Sequence, residues 1–70
     1  SKMATLDEIK TARSLYNYAN QLATNVFKKC DECGATYTEF HRDMLLAYWR
    51  PAMDAACDYA YNHKVSKHYL

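Results

Sequence analysis

The sequence predicts an all-α fold, an antiparallel helical bundle of two to three helices. Three observations carry the prediction. Apolar residues recur at steps of three and four from Ile9 through Ala12, Tyr16, Ala19, Ala23, Val26, Cys30 and Cys33, the stripe of one helix face. Two Thr-x-x-Glu signatures, Thr5 to Glu8 and Thr36 to Glu39, mark two helix starts. The only glycine, Gly34, sits between the two runs, and the only proline, Pro51, falls inside the second.

The first helix is expected over residues 6 to 33, about 42 Å at 1.5 Å per residue. The Thr5 hydroxyl can accept from the Glu8 N–H while the Glu8 carboxylate returns the bond. Asp7 and Glu8 place negative charge at the positive end of the helix dipole, and Lys28 and Lys29 lie toward the other end. Leu6, Leu15, Leu22 and Phe27 widen the stripe. Gly34 suits the left-handed position that ends a helix. The loop is then only Gly34 and Ala35, which forces the following helix to run antiparallel beside the first.

The second segment carries Tyr37, Phe40, Met44, Leu45, Tyr48 and Trp49 on one broad face. Pro51 leaves two readings open. Proline at the first position of a third helix gives a three-helix bundle, although Arg50 is a poor cap. A kinked helix from residue 37 to about 66 gives a hairpin that needs dimerisation to cover its seam. Leu45, Tyr48, Ala52, Ala56, Tyr59 and His63 stay in phase through the proline, which favours the kink. The balance leans slightly to the sharper break. The end of the chain is expected to fray after Val65.

Seventy residues hold one domain at most, here residues 5–70. Ser1 and Lys2 ahead of Met3 read as an expression remnant, with residues 1–4 a disordered N-terminus. A core this small contributes roughly 3–5 kcal/mol, so such chains tend to add a metal, disulfides or a second copy. Nine basic and eight acidic residues nearly cancel, whereas nucleic-acid modules usually carry a basic excess. No apolar run approaches the ~18 residues of a membrane span. An odd number of cysteines, three, with no signal sequence points to reduced thiols and a cytoplasmic setting.

Cys30-Asp-Glu-Cys33-Gly34 is the strongest chemical motif, since thiolates at that spacing can share one zinc ion. Cys30, Cys33, His41 and His63 reach similar heights if a third helix runs back beside the second, which makes a structural zinc site conceivable. Against it, both cysteines continue the apolar register of the first helix, where a free thiol serves as a small hydrophobe. No second Cys-x-x-Cys or His-x-x-x-His accompanies them. A thioredoxin-like role lacks its βαβ context, and no Glu-x-x-His pair supports a di-iron bundle. A helix-turn-helix alignment on Gly34 puts Lys29 and Asp43 where apolar residues belong. No catalytic constellation emerges, and the chain is expected not to be an enzyme.

Seven tyrosines, one tryptophan and two phenylalanines exceed what one small core can hold. Trp, Tyr and Arg are enriched at interface hot spots. The sequence therefore points to a small non-catalytic protein–protein interaction module that regulates or inhibits a larger partner by binding its surface, and that forms a homodimer. Tyr48, Trp49, Arg50, Tyr59 and Tyr61 are the candidate contact residues. The alternative is a nucleic-acid-binding protein that uses its basic, aromatic C-terminal end, His63, Lys64, Lys67 and His68.

Overall fold

The structure, a computed structural model, describes residues 3–33 and 39–70, apart from the side chains at positions 30, 31, 33 and 40. It is an antiparallel helical hairpin. Helix α1 spans Leu6–Cys33, and the return segment consists of α2 (Glu39–Met44), a π turn (Leu45–Trp49) and α3 (Arg50–Asn62). A 3-10 turn, Lys67–Tyr69, follows. No strand occurs among the described residues.

The start of α1 is set by the reciprocal cap. Thr5 N–H donates to Glu8 Oε1 at 2.8 Å, and Glu8 N–H donates to Thr5 Oγ1 at 3.2 Å. Two of the four N–H groups orphaned at a helix start are thereby satisfied. The helix then runs the expected length to Cys33. The predicted Gly34 stop, the Gly34–Ala35 loop and the Thr36 cap lie outside the described residues.

At Pro51 the chain does not break. The Arg50 N–H donates to the Leu45 carbonyl five residues back, closing a π turn rather than an α turn. Trp49 and Arg50 both keep right-handed helical dihedrals, at φ −70°, ψ −45° and φ −60°, ψ −48°. Proline has no N–H, and its ring crowds the carbonyl four residues earlier. A wider preceding turn relieves that crowding without ending the helix. The lean toward a sharp break and a three-helix bundle is thus corrected to one return helix in three parts.

The extra residue in a π turn also corrects the register. Past the turn, the buried positions are Ala56, which is fully buried, and Ala60. Before it, Tyr48 points away and is 61 % exposed, while Trp49 is half-buried in its place. A stripe read at an unbroken α-helical pitch assigns Tyr48 to the seam instead.

The seam itself is built from small residues. Ala12, Ala19 and Val26 on α1 and Ala56 and Ala60 on α3 are buried, and among the described residues no large side chain is completely so. Short side chains let two helices approach closely, but each buried methyl contributes only about 0.8 kcal/mol. Leu15, Leu22, Leu45 and Met53 flank the seam half-buried. Leu6 and Phe27, expected to widen it, are 66 % and 47 % exposed.

The open end of the hairpin is closed by the chain terminus. Helix α3 ends with Lys64 N–H donating to the Tyr61 carbonyl at 3.2 Å and Val65 N–H donating to the Ala60 carbonyl at 2.8 Å. This paired arrangement requires a left-handed residue at the first position past the cap. Lys64 occupies it with φ 57°. Val65 is turned back onto Ala12 and Ala60, with Ala4, Ile9, Tyr16 and Tyr59 around them. Ala4, assigned from sequence to a disordered tail, packs against this core, and the chain past Val65 forms the 3-10 turn rather than a frayed end. A side chain with a Cβ costs roughly 1–2 kcal/mol in the left-handed region, offset in part by the entropy a glycine loses there. Lys64→Gly is therefore expected to raise stability by about 0.5–1 kcal/mol, read as a higher urea midpoint at unchanged slope.

Candidate protein interface

The hairpin is a rod measuring 49 × 17 × 15 Å, and its long edges are where side chains meet solvent. Along one edge an apolar groove of about 420 Å³ runs between α1 and the π turn. Ala23 and Phe27 form its α1 wall, Leu45, Leu46 and Trp49 form the opposite wall, and Asn20 and Arg42 stand at its polar margin. The π turn creates this wall: packing five residues into one turn brings Leu45, Leu46 and Trp49 to the same edge. Phe27 and Leu46 are each 47 % exposed there. The groove is open, a shape suited to a second side-chain surface rather than to enclosing a small molecule.

Of the five predicted contact residues, the structure brings together Tyr48, Trp49 and Arg50 at the π turn. Arg50 is held by Asp54, Nε to Oδ1 at 3.3 Å, an exposed pair one helical turn apart. Tyr59 does not join them. It packs on the Ala12–Ala60–Val65 core and stacks on His63 with ring centroids 3.9 Å apart. Tyr61, 85 % exposed, lies on the outer face about 18 Å along the helix from Trp49. Sequence reasoning missed Phe27, Arg42 and Leu46 as members of one surface. The only signal was the pair Leu45-Leu46, one more apolar residue than an α-helical face needs.

The basic C-terminal residues sit at the start of α1. His63 Nδ1 lies 2.9 Å from the Tyr59 carbonyl, which can only accept, so this nitrogen carries the proton. Its Nε2 is then 3.9 Å from Glu8 Oε2. Lys64, Ser66, His68 and Tyr69 line a shallow depression with Met3, Ala4 and Ile9. Ser66 caps the final turn by accepting from His68 N–H at 3.2 Å. The carboxylates of Asp7 and Glu8 belong to the same end of the molecule, and they lower the positive potential that His63, Lys64, Lys67 and His68 would offer a phosphate backbone.

The four-residue zinc set does not assemble. His63 is beside Glu8, and Cys30 lies about 33 Å further along α1. The matching heights depended on a third helix folding back at Pro51. Among the described residues no three His, Cys, Asp or Glu side chains converge. The Cys30 and Cys33 side chains lie outside the described set.

Cys57 is exposed, with Sγ 3.1 Å from the Tyr16 hydroxyl across the hairpin. This hydrogen bond, then burial, then the charge the thiol gains on ionising, raise the Tyr16 phenol above its ordinary value of 10.0. Folding thus favours the protonated phenol. That contribution is complete below about pH 10 and is lost as pH rises through the folded value. The urea midpoint is expected to fall more steeply above pH 10 in the wild type than in Tyr16→Phe, the difference isolating this phenol from the other tyrosines and lysines.

No helix among the described residues is long and apolar enough to cross a membrane. No protein family model, curated protein or solved structure matches the chain.

Proposed function

We propose that the chain is a small, non-catalytic protein–protein interaction module acting through the edge formed by the π turn, and that it regulates or inhibits a larger protein by occupying its surface. The observation that carries this reading is the placement of Phe27, Leu45, Leu46 and Trp49 around one open groove, with Tyr48 exposed beside it. Aromatic and aliphatic anchors with an Arg at the margin are the composition of interface hot spots. The near-neutral net charge of +1 fits a contact driven by apolar burial rather than by long-range steering. A cytoplasmic setting, inferred from the odd cysteine count, belongs to the same proposal.

Photo-crosslinking in the cells of origin tests it. A benzophenone amino acid replacing Leu46 is expected to form protein adducts on irradiation. The same replacement at Tyr18, exposed on α1 away from the groove, is expected to form none. Equal labelling from both positions, or none from position 46, overturns the reading. Adduct masses tell a second copy from a larger protein.

A further inference from the structure

We infer that the occupant of the groove is a second copy of this chain, so that two hairpins pair edge to edge into an antiparallel four-helix bundle. This rests on the reading of the π-turn edge as an interaction surface and divides that surface: the groove takes the second copy, and Tyr48 and Arg50 beside it are left to the larger protein. A compact monomer of 8.2 kDa exposes about 4,500 Å² by the scaling of surface with mass. This chain exposes 5497 Å². The excess of about 1,000 Å² is spread along the whole elongated chain, and it leaves room for the roughly 800 Å² that each partner contributes to a stable interface of standard size. The radius of gyration tells the same story, 14.7 Å against about 11 Å for a compact chain of this length.

Core composition points the same way. Among the described residues the six buried apolar ones are four alanines and two valines, while the large apolar side chains are half-buried or exposed. In a four-helix bundle the side chains of the paired sides fill the centre, here Phe27, Leu45, Leu46 and Trp49, and pairs of helices meet about 20° from antiparallel. An isologous contact needs one surface that both offers knobs and receives them. The groove edge does so: Phe27 and Leu46 project, while Ala23 leaves the depression between them. With nine basic and eight acidic residues per chain, two copies meet with little net repulsion. Tyr48 and Arg50, outside the groove lining, remain available to the larger partner.

Sedimentation equilibrium of the purified protein over micromolar to millimolar concentration tests the assignment. The weight-average mass is expected to rise from 8.2 kDa toward twice that value. Leu46→Glu places a charge in each half of the contact and is expected to weaken association by about 100-fold. Tyr18→Glu is expected to leave it unchanged. If the glutamate variant loses helicity, Leu46→Ala, which keeps a strong helix former at the site, is expected to weaken association by about tenfold. A helical monomer at every concentration overturns the second copy as occupant. It leaves the interaction reading standing only if position 46 still crosslinks to a larger protein. A dimer of unchanged strength in the Leu46 variants places the contact elsewhere and overturns the assignment to this groove.

Discussion

Ala56→Leu is expected to remove about half of the protein's stability, although it replaces one good helix former with another. Ala56 has no exposed surface and faces α1 across a seam in which every buried residue among those described is Ala or Val. Three additional carbon atoms have no space there unless the helices separate. Separation would uncover Ala12, Ala19 and Ala60 together, because all of them depend on the same close approach. Overpacking of this kind costs about 1–3 kcal/mol even in larger cores, and a chain of this size has roughly 3–5 kcal/mol in hand. Urea titration followed by far-ultraviolet circular dichroism is expected to show the midpoint lowered by about 2 M. Ala55→Leu, one residue away on the exposed face, is expected to change stability by less than about 0.5 kcal/mol. Equal effects at the two positions would contradict the small-residue seam.

Val65→Asp has the second largest expected effect, and it is local. Val65 is 8 % exposed, and it closes the end of the hairpin against Ala12 and Ala60. An unpaired carboxylate at that position cannot remain docked, so the terminus is expected to detach from Lys64 onward. The loss is bounded by what docking contributes, about 2 kcal/mol for one buried valine. The helices themselves should persist, because their Ala seam continues through Ala19, Val26 and Ala56. Hydrogen exchange is the suitable measurement. The Val65 amide, bonded to the Ala60 carbonyl at 2.8 Å in the wild type, is expected to lose protection while amides in the middle of α1 keep theirs.

What the sequence disclosed follows from the range over which each signal acts. The limits and start of α1 were legible because a capping box is a four-residue device and an apolar stripe repeats within one helix. The antiparallel pairing followed from the small separation between two strong helical patterns. The handling of Pro51 was not legible. A capped third helix and a kink are both local answers, whereas the π turn is chosen because Leu45 and Trp49 on one side and Ala56 and Ala60 on the other must all reach α1. That one-residue slip moved Tyr48 out, left Trp49 facing in, and hid the grouping of Leu46 with Phe27 and Arg42. Lys64 escaped notice for a related reason. A lysine carries no local preference for φ 57°, and only the docking of Val65 requires it.

Trp49 is the only indole in the chain, and it lies half-buried on the groove wall. The molecule therefore carries its own optical reporter at the surface proposed for recognition. Covering the groove removes water from the one indole, so the emission should shift to shorter wavelength in proportion to occupancy. Contacts at the far C-terminal end, about 20 Å away along α3, should leave that colour unchanged.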